Sequence, residues 1–234
     1  MMWLEAVGGL TAAAAGMAYA VRSPRSSLLA PSVYRGTALR KSIALTFDDG
    51  PSESTPRLLE ILAKHGARAT FFQCGANVKR LPAVAREVAA AGHEIGNHTY
   101  SHPLLHLKSP AFMFAEIRDA QTAIEDSAGV SPGLFRAPFG VRWFGLGGVQ
   151  RQMNLMGVMW SVIGLDWKLP APEVTGRLLR ATRPGAIVCL HDGRVTQPHP
   201  DVSVALDTIR SILPAWAEQG YEFETVSQIL CKKI

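Results

Sequence analysis

One pattern constrains this chain more than any other. A short apolar or β-branched run followed by a helical stretch occurs seven times in 234 residues. The runs are SIALTF at 42–47, ATFF at 69–72, HEIGNH at 93–98, a strand near 134–137, GVMWSV at 157–162, AIVCL at 186–190 and YEFE at 221–224. Between them the apolar periodicity predicts helices over roughly 55–65, 81–91, 109–128, 145–155, 171–182 and 202–218, with VSQIL as a final turn. Alternation of this kind builds a parallel sheet with helices outside it, and the near-continuous apolar strands fit burial on both faces. Uncommon polar residues come after the runs: Asp48 and Asp49, His98, Arg136, Asp166, then His191 and Asp192. A barrel gathers the C-terminal ends of its strands on one face, where active sites form. An open, doubly wound sheet would supply its crevice from fewer strands. The predicted fold is therefore α/β: a distorted (β/α) barrel of seven or eight units, TIM-barrel-like.

The length suits one substantial core. Three cysteines, Cys74, Cys189 and Cys231, are too few and too scattered for a disulfide framework. A net charge of +5 favours anionic surroundings, but the basic residues form no stripe interleaved with aromatics, which argues against nucleic acid as a partner. Three regions are expected: a hydrophobic N-terminal segment at 1–21, a linker or arm at 22–40, and a catalytic domain at 41–234. Residues 6–21 are uncharged and small, short for a membrane span but suited to a signal core, and AYA at 18–20 has the small-x-small form of a cleavage site. That reading predicts a secreted, periplasmic or membrane-tethered protein facing the cell wall. Glu5 ahead of the segment and Arg22 and Arg25 after it argue for the cytoplasm instead. An alanine-rich helix lying on the domain is the third alternative.

The chemistry-bearing residues form a coherent set. HTYSH at 98–102 spaces two imidazoles four apart, as neighbours on one helical turn would be. Two imidazoles and a carboxylate are a common ligand set for a catalytic zinc, and Asp49 is the natural third ligand. Asp48 is then available as a general base. His191 is a candidate acid, needing a partner to set its tautomer; Asp166 is the first choice and Asp192 the second. Arg136 is expected to pair with Asp48 and orient it, or else with Asp166 in a structural ion pair. Tyr100, Trp160, Trp167 and Phe139 are candidate pocket walls, with a core position as the alternative for each.

In order, TFDDG at 46–50, HTYSH at 98–102, RAPFG at 136–140, LDW at 165–167 and CLHD at 189–192 resemble the five motifs of the polysaccharide deacetylases with a NodB homology domain, carbohydrate esterase family four. The likeness runs over about residues 41–230. It implies a distorted (β/α) barrel that uses one divalent metal, zinc above cobalt, manganese or nickel, to hydrolyse N-acetyl groups from an amino-sugar polymer such as chitin or peptidoglycan. It implies that Asp49, His98 and His102 are the metal ligands, Asp48 the base and His191 the acid. Arg136 would orient the base, Asp166 would tune the acid, and the backbone N–H of Phe139 would face the oxyanion. Leu190 joins Tyr100, Trp160 and Trp167 as an expected pocket residue.

Three positions depart from the family pattern. Phe139 stands where tyrosine is usual, Ile163 where an aspartate often precedes the DW pair, and Cys189 where leucine is common, so the acetyl pocket is expected to differ. None removes a ligand or an acid–base group. An O-acetyl esterase acting on acetylated xylan, a non-catalytic carbohydrate-binding domain and a hydrolase of small cyclic amides are the alternatives. An acetylated saccharide is the expected partner, with a membrane tether through residues 1–21 and no protein partner implied.

Overall fold

The computed structural model describes residues 14–231. The first thirteen positions of the hydrophobic segment lie outside the described residues. A helix at 14–22, α1, leads into the arm. Thereafter come β1 (Ser32–Val33), β2 (Ser42–Gly50), α2 (Thr55–Lys64), β3 (Ala69–Gln73), α3 (Gly75–Arg80), α4 (Pro82–Ala90), β4 (Glu94–Asn97), α5 (Pro110–Ala128) and β5 (Leu134–Phe135). A 3-10 turn (Pro138–Gly140), α6 (Leu146–Gln152), β6 (Met156–Val158), β7 (Val162–Ile163), α7 (Ala171–Ala181), β8 (Ala186–His191), α8 (Ser203–Glu218), β9 (Glu222–Phe223) and α9 (Val226–Leu230) complete the order. The named strands pair in parallel in the order β1-β6-β5-β4-β3-β2-β8-β7, with β9 on β2. This is a curled half-barrel flanked by helices, the distorted (β/α) barrel read from the sequence.

Strand alternation sorts the core into layers. Ile43, Leu45 and Phe47 of β2 and Val188 and Leu190 of β8 pack outward with the helices, among them Leu58 and Leu62 of α2 and Ile209, Leu213 and Trp216 of α8. The intervening Ala44 and Ile187 face inward with Phe72, Leu134 and Val158, closed from below by Val226 and Ile229 of α9. GVMWSV, expected as one strand, is two: β6 and β7 pair with different neighbours, β5 and β8, and Met159–Ser161 cross the gap between them. VSQIL, expected as a turn, is a helix with a capping box in which Thr225 and Gln228 exchange side-chain and backbone hydrogen bonds.

The arm fills the seam left by that gap. β1 pairs with β6, Arg35 bridges to Ala186, and the Gly36 N–H donates to the Gly185 carbonyl at 2.8 Å. Through these contacts the 22–40 stretch lies against the sheet. Arg142, 1% exposed, reaches into the arm and donates to the carbonyls of Ser23 and Ser26, while its own N–H donates to Val21 at 3.1 Å. Arg142→Ala removes those charge-assisted bonds and should cost about 2–3 kcal/mol. Limited proteolysis in the 22–31 stretch, together with a lowered urea midpoint, reads that loss. No described helix is long and apolar enough to cross a membrane.

Candidate active site

Three of the five polar clusters line a cavity of about 680 Å3 at the C-terminal ends of the strands, and Arg136 and Asp166 stand behind Asp48 and His191. Its wall includes Asp48, Asp49, His98, His102, Phe139, Trp160, Trp167, Cys189, His191 and Arg194. Parallel pairing sets Asp48 beside His191 across β2 and β8.

Two adjacent carboxylates on a strand would normally point to opposite faces. Here the β2–β3 register slips between Asp48 and Gly50, and Asp49 takes φ 72°. That bulge breaks the alternation and turns both side chains into the cavity. They then take different partners. The Asp48 Oδ1 accepts from Arg136 Nη1 at 2.6 Å. The Asp49 Oδ1 lies 3.3 Å from His98 Nε2 and 3.0 Å from His102 Nε2. Only glycine fits at position 50, because a Cβ there would collide with the buried Asp192 carboxylate. Asp192 accepts from Thr55 at 2.6 Å and braces this turn, so it partners neither His191 nor Arg136.

The imidazoles do not share a helical turn, as the i, i+4 spacing suggested. His98 follows β4 directly, and a loop with left-handed Thr99 (φ 67°) and His102 (φ 57°) carries the second ring back. Such backbone costs roughly 1–3 kcal/mol per residue and persists only where the surroundings over-determine it. They do so here. The Asn97 side chain accepts from Thr99 N–H at 2.9 Å and donates to Ile117 at 2.8 Å. Glu116 of α5 accepts the N–H groups of Tyr100 and Ser101 at 3.1 and 2.8 Å and the Ser101 hydroxyl at 2.9 Å.

The donor set fits a divalent cation. His98 Nδ1 lies 2.8 Å from the Arg136 carbonyl, which fixes that nitrogen as the N–H and leaves Nε2 facing Asp49. Asp49 Oδ2 accepts from Val195 N–H at 2.8 Å, so only Oδ1 turns to the imidazoles, and it is buried with no hydrogen-bond partner. The three ligand atoms lie within 4.8 Å of one another. Burial alone would raise the Asp49 pKa, but His102 and His98 outweigh it and hold the carboxyl well below the usual range. Two imidazole nitrogens and one carboxylate oxygen with open positions suit zinc. His102→Ala should cut affinity for Zn2+ by more than about 100-fold, beyond what losing an outer support costs; competition against a chromophoric chelator measures it.

On the opposite wall, His191 Nδ1 lies 2.9 Å from Asp166 Oδ1, and the His191 backbone N–H donates to Asp166 Oδ2 at 3.0 Å. The carboxylate fixes the tautomer and leaves Nε2 toward the cavity. Burial would lower the imidazole pKa, but the Asp166 bond and charge, helped by Asp49 and Asp48, raise it to about 9. The Trp167 ring meets the His191 ring edge-on at 4.9 Å. Arg136 is fully buried, and three further N–H groups go to Thr46 at 2.7 Å and to the Val158 and Met159 carbonyls at 3.2 Å each. Phe139 is left-handed (φ 57°) inside the 3-10 turn, its ring 4.6 Å from that of His102.

Two expected pocket residues lie elsewhere. Leu190 alternates outward on β8 into the helix-facing core, and Cys189 takes the cavity position, its Sγ 3.5 Å from Asp48 Oδ2. Tyr100 turns onto Gly75, where a Cβ would meet its ring at 2.6 Å, and away from the cavity wall. Sequence reasoning missed Asn97, Glu116, Thr46 and Asn77, which donates to the Asp49 carbonyl at 2.7 Å and the Val195 carbonyl at 2.8 Å. Asn97, Glu116 and Asn77 act through loops whose course no local pattern encodes, and Thr46 acts through a side-chain bond to Arg136 from another strand.

Comparison with known proteins gives the same frame. The chain is 36% identical over 211 residues to the peptidoglycan-N-acetylglucosamine deacetylase PgdA of Listeria monocytogenes, covering 89% of this chain and 43% of that protein. It therefore spans less than half the length of these first relatives. A chitooligosaccharide deacetylase of Bradyrhizobium is 35% identical over 198 residues, with 81% and 90% covered. The solved structure of the Bc1960 peptidoglycan N-acetylglucosamine deacetylase superposes with a TM-score of 0.79 at 33% identity, over 84% of this chain and 91% of that one. The profile described as polysaccharide deacetylase matches residues 35–156, which hold the two aspartates, both imidazoles and Arg136. With motif order, barrel and site geometry in agreement, the chain belongs to the polysaccharide deacetylase family.

Proposed function

We propose that this protein hydrolyses N-acetyl groups from N-acetylated amino sugars in a poly- or oligosaccharide of the peptidoglycan or chito-oligosaccharide type, releasing acetate, and that it works facing the cell wall. The observation that carries the reading is the division of two neighbouring carboxylates between separate partners, Asp49 with the imidazoles and Asp48 with Arg136. The names of the Listeria and Bradyrhizobium relatives support the substrate class.

When bound, a divalent cation supplies Lewis-acid polarisation and lowers the pKa of water. Asp49, His98 and His102 are the residues that would hold it. The chain's own groups do the rest. Asp48, aimed by Arg136, takes the proton of the attacking water. The Phe139 N–H donates to the acetyl oxygen as charge builds there. His191, its Nδ1 held by Asp166, delivers a proton from Nε2 to the departing amine. Trp160 and Trp167 line the cavity as aromatic walls for a sugar ring.

Amide cleavage needs that proton, because an amine anion is a far poorer leaving group than an alkoxide. An imidazole raised to about 9 keeps it available across neutral pH, which favours the N-acetyl over the O-acetyl reading. Acetate release from chitopentaose and from peptidoglycan fragments, by metal-stripped protein and again with zinc restored, tests the proposal. Zinc-dependent release is the expected result. Release from acetylated xylan alone would favour the esterase. Saccharide binding without acetate in zinc-loaded protein would favour a binding domain.

A further inference from the structure

We propose that Arg22, on the N-terminal arm, is a specificity residue that reads a carboxylate on the polymer near the scissile acetamido group, so that an acidic glycan is preferred to a neutral one. The inference rests on the deacetylase reading and adds to it a residue outside the five motifs.

Arg22 lies on the wall of the same cavity as Asp48, Asp49 and His191. Its place is built. The preceding Ala20 and Val21 are buried, the Val21 carbonyl accepts from Arg142 N–H at 3.1 Å, and the Arg142 guanidinium holds the carbonyls of Ser23 and Ser26 on the other side. The backbone is thus fixed at the cavity mouth while the Arg22 side chain remains exposed.

The other two guanidiniums of the wall and floor are committed. Arg136 is fully buried on Asp48. Arg194 sits 3.7 Å from Asp166 Oδ2 and donates to the Asp166 and Gly193 carbonyls at 3.3 and 3.0 Å. Among the described residues Arg22 forms no ion pair with any carboxylate. Asp48 and Asp49, the acidic groups of the cavity, already have their own partners. An uncommitted guanidinium beside apolar walls suits a planar anion, which it binds through two parallel N–H bonds, better than it suits hydroxyls. A neutral acetylated homopolymer offers hydroxyls and acetamido groups only. Glycans that carry a lactyl ether, a short peptide or a uronic acid offer the carboxylate.

The test uses the zinc-loaded protein with four tetrasaccharides. One alternates N-acetylglucosamine with N-acetylmuramic acid, one is the same molecule with its lactyl carboxylates amidated, one alternates N-acetylglucosamine with glucuronic acid, and one is chitotetraose. The wild-type protein should favour a carboxylate form over its neutral comparator, the amidated molecule for the lactyl ether and chitotetraose for the uronic acid, by roughly tenfold in kcat/KM, the size a charge-assisted pair supports. The difference should lie in KM. Whether the lactyl or the uronic form shows it identifies the source of the carboxylate. Arg22→Ala should bring the ratio of carboxylate form to neutral comparator to about one and Arg22→Lys should restore part of it. Arg25→Ala, which removes the same charge from the same arm, should leave the ratio standing. Calorimetric binding of each saccharide gives a readout independent of turnover. No acetate from any substrate, with Arg22-dependent binding intact, would defeat the deacetylase reading and leave this one. Binding and turnover ratios that ignore Arg22, or that fall equally in Arg25→Ala, would overturn it.

Discussion

Asp48→Asn is expected to keep its fold and its zinc stoichiometry while turnover falls by roughly 10^2–10^4-fold, the range a positioned general base contributes. The geometry gives both halves of that expectation. Zinc retention is expected because the imidazoles face Asp49 Oδ1 at 3.3 and 3.0 Å, while Asp48 Oδ2 is 3.9 Å from His98 and its Oδ1 is taken by Arg136. Fold retention is expected because an asparagine fills the same space and its amide oxygen still accepts from Arg136. What is lost is the basic oxygen. Steady-state kinetics on chitopentaose, with metal analysis of the same sample, decide it. A variant that loses zinc along with activity would show that the two carboxylates share the ligand role, and the proposed split between them would fall.

The residues say why some of this site is legible in the sequence and some is not. The strands are legible because burial on both faces leaves near-continuous apolar runs, and their ends are legible because an ionisable group directly after such a run has few structural excuses. His98, Arg136, Asp166 and His191 all lie at or just beyond strand ends for that reason. What is not legible is direction. The bulge at Asp49 comes from a register slip against β3, a long-range pairing that DDGP does not encode. The approach of His102 to His98 depends on Asn97 and Glu116, and Glu116 belongs to a helix that begins only after the loop has ended. Cys189 lies on the cavity wall as expected, but its neighbour Leu190 cannot lie there too, because a shift of one residue along a strand swaps faces. On residues 22–40 the Ser, Pro and Arg composition leaves linker and arm equally open, because the bonds from Arg142 to the Ser23 and Ser26 carbonyls span more than a hundred residues and no local pattern encodes them.

Asp166→Asn should lower kcat on the order of 10^3–10^4-fold and also move the alkaline limb of the pH profile, and the second effect separates a proton-holding role from mere packing. The scale is that of a triad whose aspartate is replaced by its amide, which leaves the imidazole in the wrong tautomer. In the wild-type protein His191 is raised to about 9 against burial, first by the Asp166 bond and charge and then by Asp49 and Asp48. A general acid works while protonated, so activity is present below that value and fades as pH rises through it. A cation on Asp49, His98 and His102 offsets the Asp49 and Asp48 contributions, and the Asp166 contribution remains. The variant loses that remainder while burial still opposes the charge, so its limb should fall below the ordinary histidine value of about 6.5. Folding is linked with the same sign. Because the folded value is raised, the protonated His191–Asp166 pair stabilises the native state fully below about 6.5, and this stabilisation is lost as pH rises toward 9. The difference in unfolding free energy between wild type and Asp166→Asn should accordingly shrink between pH 6.5 and 9. Profiles of kcat/KM from pH 5 to 10, with urea melts at both ends of that window, measure the two effects independently. An unmoved alkaline limb in the variant would assign the essential proton to a group other than His191.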